Sequence, residues 1–310
     1  MADPPKPVVA SGDYVVDDDH QPCSLDRTLR GLQPGLSWSV VRRAITSGKV
    51  WVNGKLRTSP THEVRAGDRI KVRVNAPNPQ RAPRLPDNVI VHIDSQVLVV
   101  RKPSGWLTEP NDDHPYGTLV QALNAMLRKR RPGTPPLWVV QRLDQETTGL
   151  VVLARTNEAR DHLKEQFTLR TVTRSYLAIA HGQVEGRSFR SRLGDGAKRH
   201  RSTNQANAGK EAVTHVSVVE PFANATLVAC RLETGRTHQI WVHLSEAGHP
   251  LVGDRRYGYA GTIRAPRLML HAAELGFVHP VSEQPLHYEE ELPQDMNKIL
   301  SYCRSRPKDS

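Results

Sequence analysis

One carboxylate in the sequence has neighbours that suit catalysis. Asp144 stands in a polar stretch, close to Arg142 and shortly before the apolar run at 150–153. An arginine within a few ångström keeps a carboxylate ionised. A fixed, ionised carboxylate is the group that covalent or electrostatic catalysis at a sugar or a base requires. The same pattern also fits a structural ion pair in a turn, so the elements around it have to be considered.

The residues around Asp144 alternate between strand and helix patterns. Apolar runs predict strands at 149–153 and 176–180, and Thr156 or Asn157 is placed to cap a helix between them. The polar segment 187–210 is expected to be a mobile insertion. Further strands are predicted at 89–91, 97–100, 213–219 and 226–232, and further helices at 118–130 and 238–247.

The first part of the chain predicts a separate small module with a basic surface. It contains a pair of helices and a few strands, and its second helix turns Arg42 and Arg43 outward. Prolines among polar residues then predict a semi-rigid spacer. The expected organisation is a disordered arm at 1–21, a small domain at 22–75, a proline-rich linker at 76–88 and a large domain at 89–310.

The composition points to a polyanionic partner. Lys and Arg number 43 against 32 Asp and Glu, a net charge of +11, and such a field attracts nucleic acid. No apolar run reaches the roughly 18 residues that a membrane span needs, and the first residues lack a signal-peptide pattern, so we expect a cytoplasmic protein. The cysteines are far apart and the histidines lack metal-ligand spacing, so neither a disulfide framework nor a metal site is expected.

The large domain carries a series of motifs in the order found in the RluA-like family of RNA pseudouridine synthases, which it resembles. The stretch 141–150 resembles the family's Arg-Leu-Asp motif. The small module resembles the alpha-L RNA-binding domain, of the type in the small-subunit ribosomal protein S-four. The other matching segments are 94–105, 174–178, 233–258 and 270–280 in the large domain, and 24–27, 42–45, 48–54 and 67–70 in the small one.

The resemblance implies a fold, an activity and a set of site residues. The fold is α+β: a catalytic domain of the pseudouridine synthase type with a mixed, largely antiparallel sheet, preceded by a small α+β alpha-L RNA-binding domain. The activity is isomerisation of uridine in structured RNA without cofactor or metal, with ribosomal RNA favoured and transfer RNA left open, and we expect a monomer. Asp144 aligns with the catalytic aspartate and Tyr176 with the aromatic residue that stacks on uracil. The residues expected to contact substrate or RNA are Arg142, Arg236, Thr148, Arg42, Arg43 and Lys49.

The chain departs from the family pattern at one position that matters for charge. Gln141 replaces a histidine and Thr148 a common serine, which are mild polar exchanges. Trp241, however, stands where the family has an arginine that pairs with the catalytic aspartate, and a tryptophan supplies no charge. Arg236 and Arg142 are the candidates to replace it.

Two other interpretations therefore stay open at the level of the sequence. The chain could be an RNA-binding or ribosome-assembly factor without activity, which Trp241 favours. It could also be a carbohydrate-acting enzyme that combines Asp144 with a second carboxylate, Glu146 or Glu233. The second of these leaves the basic N-terminal module unexplained.

Overall fold

A computed structural model describes residues 9–19, 21–76, 84–111, 116–194, 209–258 and 263–306. The chain divides into two compact units: residues 1–84 with 109–122, and residues 85–108 with 123–310. Part of the predicted arm (1–8 and 20), most of the predicted linker (77–83) and the centre of the predicted insertion (195–208) lie outside the described residues.

The N-terminal unit is a small α+β structure. Its strands form a four-stranded sheet in the order β1-β6-β3-β4 and a short pair, β2 with β5. Leu25, Leu29, Val41 and Ile45 from its helices are buried against this sheet. The elements are β1 (Gly12–Val15), β2 (Cys23–Ser24), α1 (Leu25–Leu32), α2 (Trp38–Thr46), β3 (Val50–Val52), β4 (Lys55–Leu56), β5 (Glu63–Val64) and β6 (Arg69–Val72).

Strand β1 corrects the prediction of a disordered arm. Gly12 to Val15 pair antiparallel with β6, in the register Gly12↔Val72 and Val15↔Arg69, and Val9 and Val16 on either side of the strand are buried. A four-residue strand among acidic residues has no periodicity of its own to read. It forms because β6, far along the chain, supplies its hydrogen-bond partners.

The elements that follow residue 85 build one large sheet with helices against it. They are β7 (Ile90–Ile93), β8 (Val97–Lys102), α3 (Leu119–Arg130), β9 (Trp138–Val139), β10 (Thr148–Ala154), α4 (Asn157–Leu169), β11 (Thr173–His181), β12 (Arg187–Leu193), β13 (Lys210–Pro221), β14 (Ala225–Leu232), α5 (Gln239–Glu246), β15 (Leu270–Val278), β16 (Pro285–Glu289) and α6 (Gln294–Arg304).

The order of the strands in this sheet is β12-β13-β14-β11-β15-β10-β8-β7, with β16 added to β15 and β9 to β10. Within the part of the chain that the structure describes, β10 and β15 run parallel and the other neighbouring strands are antiparallel. This confirms the predicted mixed, largely antiparallel sheet.

Helix α4 illustrates how local sequence sets an element. The Thr156 side chain accepts a hydrogen bond from the backbone N–H of Ala159 at 3.1 Å, which caps the helix as predicted. Ala159 and Leu163 then pack on Val97 and Leu150 of the sheet. Each fully buried side chain of this kind stabilises the fold by about 1.5–3 kcal/mol. The prediction of a mobile insertion at 187–210 is wrong for its first residues, because Arg187 to Leu193 form β12 by pairing with β13.

Helix α6 packs against the same unit. Met296 and Leu300 are buried with Ile179 and Leu227 in a second core cluster. The side chain of Arg267, 7% exposed, donates from Nε and Nη2 to the two carboxylate oxygens of Asp295, at 2.6 and 2.8 Å. None of the helices described along the chain has both the length and the apolar character that crossing a membrane requires.

Candidate active site

A buried lysine forms hydrogen bonds with the backbone of the loop that contains Asp144. Lys102, at the end of β8, donates from Nζ to the backbone oxygens of Gln145 at 3.0 Å and Thr147 at 2.7 Å. The backbone N–H of Gly105 also donates to Gln145 O, at 2.9 Å. The first matching segment of the large domain, 94–105, called the opening motif below, therefore fixes the backbone of the Asp144 loop.

Lys102 brings charge as well as hydrogen bonds. Its side chain is 1% exposed, and burial lowers the pKa of its ammonium to about 7, against the opposing effect of the Asp144 carboxylate. Three backbone carbonyls, including that of Pro103, accept from this one group. Lys102 and Asp144 therefore lie within electrostatic reach of each other.

The parallel pair β10 and β15 positions the end of the motif that contains Asp144. Thr148 pairs with His271 and Gly149 with Ala272. The Thr148 hydroxyl lies 2.8 Å from His271 Nδ1, both groups being buried, and burial lowers the pKa of His271 to about 4, so its ring is neutral at pH 7. Thr148 thus joins two strands, and its predicted contact with RNA stays a prediction that this bond does not support.

Tyr176 lies on β11, next to β15 in the sheet. The register between these strands shifts between Ser175 and Tyr176. The phenol is 8% exposed. Burial raises the pKa of Tyr176 to about 12, Arg174 opposes this effect, and the charge of Asp144 adds to it. The two predicted catalytic residues are therefore brought together.

The motif that begins at Glu233, called the third motif below, forms a tight loop that leads into α5. The Gln239 side chain organises it: Oε1 accepts from the Thr234 hydroxyl at 2.8 Å and from the Arg236 N–H at 3.0 Å, and Nε2 donates to Val213 O at 3.0 Å. This bonding leaves His238 as the residue just before the helix, in the left-handed backbone conformation with φ 55°.

His238 approaches Asp144 from the third motif. Its Nε2 lies 3.9 Å from Asp144 Oδ1, and its Nδ1 lies 2.8 Å from the hydroxyl of Tyr257. The ring stacks on Trp241 with centroids 4.4 Å apart and an interplanar angle of 23°. Trp241 itself is buried, and so the position that departs from the family pattern supports the histidine.

Two arginines, Arg174 and Arg236, lie near each other, and Arg174 lies near Tyr176. Arg174 is largely buried and donates from Nη2 to Glu233 O at 3.2 Å, and burial lowers the pKa of its guanidinium. Arg236 donates from Nε to Glu211 O at 2.8 Å. The prediction that Arg236 takes over the role of the missing arginine is not supported by this bond, because it directs the side chain to β13. Arg142 is exposed beside Asp144 in the sequence.

The three residues of the N-terminal unit that are predicted to contact RNA differ in their hydrogen-bond partners and exposure. Arg42 donates from Nε to the buried carboxylate of Asp26 at 2.7 Å, whereas Arg43 is exposed on α2. Lys49 donates to the backbone oxygen of Ala76. Trp38, 40% exposed, has the guanidinium groups of Arg30 and Arg42 at 4.7 and 5.4 Å from its ring centroid.

Sequence reasoning missed three side chains of the site: Lys102, His238 and Tyr257. Lys102 and His238 stand inside motifs that identify the domain, but neither residue was given a role. A lysine between an apolar strand and Pro103 could have suggested a buried ammonium. The contact of His238 with Tyr257 depends on tertiary structure and has no sequence pattern.

Comparison with known proteins agrees with this arrangement. Residues 96–246 match the family model for RNA pseudouridylate synthases, and residues 24–70 match that for the S4 domain. The chain is 34% identical over 304 residues to the uncharacterized RNA pseudouridine synthase YlyB of Bacillus subtilis strain 168, covering 94% of this chain and 98% of the relative.

Other relatives and solved structures give the same picture. Identity is 35% over 299 residues with the ribosomal large subunit pseudouridine synthase D of Zymomonas mobilis, covering 89% of this chain and 92% of that protein. The structure of human RNA pseudouridylate synthase domain containing 4 aligns with a TM-score of 0.59 at 23% identity, over 69% of this chain and 92% of that one. That likeness shows a shared fold.

Proposed function

The chain belongs to the RNA pseudouridine synthase family, and we propose that it acts on ribosomal RNA with Asp144 as its catalytic carboxylate. As a member of this family it is an isomerase that makes pseudouridine in RNA. The observation that carries the role of Asp144 is its setting. Its side chain is 30% exposed and faces His238, on a loop that Lys102 holds through backbone oxygens.

The isomerisation needs a fixed anion next to the ribose. The bond between N1 of uracil and C1′ of ribose breaks, and a bond between C5 and C1′ forms. The proton on C5 is lost and N1 gains one, so no external atoms are required. The Asp144 carboxylate serves this reaction as a nucleophile at C1′ or as the group that assists a glycal route, and both roles require the ionised form.

Tyr176 supports the uracil while it turns. Because its pKa is raised to about 12, the phenol is neutral at pH 7 and its ring offers an uncharged aromatic face. Stacking on such a face contributes about 1–3 kcal/mol per base. This holds the detached uracil in place without fixing its rotation.

Reaching a uridine in folded RNA means extruding it from its stack, which costs a few kcal/mol. Basic side chains that contact flanking phosphates offset this cost. We assign that role to Arg142 and Arg236 near the site, and to Arg42, Arg43 and Lys49 in the N-terminal unit. The excess of 43 Lys and Arg over 32 Asp and Glu supports binding to a polyanion.

The relatives support ribosomal RNA as the substrate. Proteins from Zymomonas mobilis and Escherichia coli O157:H7, each 35% identical over about nine-tenths of this chain, are named ribosomal large subunit pseudouridine synthases. The match of residues 24–70 to the S4 domain adds a second RNA-binding unit to the catalytic one. Transfer RNA is the alternative substrate.

The test is to map pseudouridines in ribosomal and transfer RNA from cells with and without the gene. Wild type, Asp144→Asn and Asp161→Asn are then added back to the deletion strain. Asp161 is the matched control, since it is an exposed aspartate on α4 paired with Arg160. We expect one or more sites in large-subunit ribosomal RNA to be lost and to return with wild type and Asp161→Asn alone.

Other outcomes separate the remaining interpretations. A site that disappears from transfer RNA would replace the substrate and keep the enzyme. Restoration by Asp144→Asn would exclude Asp144 as the catalytic carboxylate. No change in any RNA, with RNA binding retained, would favour the RNA-binding factor without activity.

A further inference from the structure

The ring of His238 is fixed on several sides, although it lies at the start of a helix. Trp241 stacks against one face, with the ring centroids 4.4 Å apart. Tyr257 meets the ring edge-on, with the centroids 5.6 Å apart. Its side chain is only 12% exposed. A histidine that simply ended a loop would need none of these contacts.

The hydrogen bonding of the ring decides which nitrogen faces Asp144. The Tyr257 hydroxyl occupies Nδ1 at 2.8 Å, and the opposite nitrogen, Nε2, lies 3.9 Å from Asp144 Oδ1. When Tyr257 donates to Nδ1, the neutral ring carries its proton on Nε2; when the ring is charged, both nitrogens carry one. In both states an N–H is directed at the carboxylate, and in the charged state it brings a full positive charge.

We propose that His238 is the positioning residue that orients and stabilises the Asp144 carboxylate, and that Trp241 acts through it by holding the ring. This inference rests on the proposed role of Asp144. It accounts for the departure at position 241: the charge that the family pattern places there comes instead from the residue stacked on it. The distance of 3.9 Å is that of an ion pair without a short hydrogen bond, and such contacts shorten when substrate fills a site.

Trp241 contributes ring contacts: it stacks on His238, and its ring meets that of Tyr257 edge-on with centroids 6.1 Å apart. Its Nε1–H is buried and has no hydrogen-bond acceptor within the residues that the structure describes. The indole therefore does not bond to Asp144, and it acts as a flat apolar support. Aromatic stacking with a charged ring is worth more when the pair is desolvated, as it is here.

Other polar and charged groups lie near His238 and Asp144 and influence the charge of the pair. Tyr257 faces His238 from the loop after α5, with Arg256 5.7 Å over its ring. Lys102 and Tyr176 both interact electrostatically with Asp144. Protonated His238 therefore adds a positive charge from the third motif to the charge that Lys102 brings to Asp144 from the opening motif.

The first experiment compares single-turnover rates of pseudouridine formation as a function of pH. The variants are His238→Gln, which keeps an N–H donor without the charge, and His238→Gln/Trp241→Arg, which restores a charge at position 241. His287→Gln is the matched control, because His287 is a half-exposed histidine 3.3 Å from a Glu289 oxygen. We expect His238→Gln to be slowed about 100-fold with RNA affinity unchanged, and the double variant to regain about tenfold or more.

The pH profile separates charge from packing. In wild type, removal of the imidazolium proton is expected to contribute to a fall in rate with rising pH. A guanidinium stays charged, so the double variant loses this contribution and keeps only the one that Lys102 makes. A rate for His238→Gln within about threefold of wild type would overturn the inference. So would a folded double variant that is no faster than His238→Gln.

A second measurement does not depend on activity or on the fold of the double variant. The NMR titration of the His238 ring is followed in wild type and in Asp144→Asn, with the resonance assigned from its loss in His238→Gln. Because an opposite charge favours the protonated ring, we expect the midpoint to drop by about one pH unit without the carboxylate. A midpoint that moves by less than about 0.2 unit would refute the pair. If wild type modified no RNA, the proposed function would fail, and this titration would still decide the contact.

Discussion

The glycine that ends the Arg-Leu-Asp motif offers the sharpest test of how the fold positions the site. Gly149 has φ +113°, and a Cβ built on it would lie 2.2 Å from the backbone oxygen of Ala272. That oxygen belongs to the parallel partner strand β15. Gly149→Ala therefore meets two penalties at once, a backbone conformation that side chains rarely adopt and a clash with main chain that cannot rotate away.

The magnitude follows from adding the two penalties. A non-glycine residue in such a conformation costs about 1–3 kcal/mol, and inserting a methyl group into a packed position costs about 1–3 kcal/mol more. We expect Gly149→Ala to lower the free energy of unfolding by about 4 kcal/mol, which is a large part of the 5–15 kcal/mol typical of a domain.

The assay is urea unfolding followed by circular dichroism, with Gly133→Ala as the control. Gly133 has a similar conformation, φ +82°, but nothing lies within 4 Å of its added Cβ, so that variant meets the conformational penalty alone, about 1–2 kcal/mol. The difference between the two variants measures the close approach of the strands. Equal losses in both would show that the contact with Ala272 does not require glycine, and would refute the reasoning.

Further predictions concern stability and RNA binding. Asp295→Ala leaves the buried guanidinium of Arg267 without its carboxylate and should cost about 3 kcal/mol in urea unfolding. Burial alone would raise the pKa of Asp295, but the hydrogen bond and charge of Arg267 lower it. Wild type should therefore lose this stability as the pH falls below the unfolded pKa of about 3.9 and Asp295 becomes protonated. Asp295→Ala should not show this loss. Trp38→Ala removes an exposed ring flanked by arginines and should weaken RNA binding by about 1–3 kcal/mol in a filter-binding assay, unless Trp38 packs without contacting RNA. Arg43→Ala should reduce the slope of log K against log salt by about 0.7, and an unchanged slope would mean that Arg43 neutralises no phosphate.

The helices that could be predicted from the sequence are those with a local cause. Helix α4 begins after Thr156, whose hydroxyl caps it, and its buried residues Ala159 and Leu163 stand on one face. Strands β1 and β12 were missed because their causes are remote. Each pairs along its length with one partner, β6 and β13, and its own residues lack the alternation that marks a half-buried strand.

The same distinction applies to the site. Asp144 and Tyr176 could be assigned roles because the motifs that contain them resemble those of a known family. Their electrostatic coupling could not be predicted, since it depends on the pairing of β11 with β15 and on the burial that raises the pKa of Tyr176. The surroundings of position 241 could not be predicted for a related reason: the sequence shows which charge is missing there, but not that His238 stacks on the tryptophan at that position.

The sheet explains why motifs so far apart in the chain work as one site. Four neighbouring strands lie in the order β8, β10, β15 and β11. Lys102 ends β8, the Asp144 loop leads into β10, His271 lies on β15, and Tyr176 lies on β11. Each of these motifs thus lies on or directly before one of the four strands, and the residue that precedes α5, His238, joins them from outside the sheet. Because hydrogen-bonded strands lie about 4.8 Å apart, a residue on one strand end is held within reach of the next, whereas α5 approaches through side chains alone. The strand-borne groups are therefore fixed by the main chain, and the contribution of α5 is the one that a sequence is free to rebuild, as we propose that this chain does with His238 and Trp241.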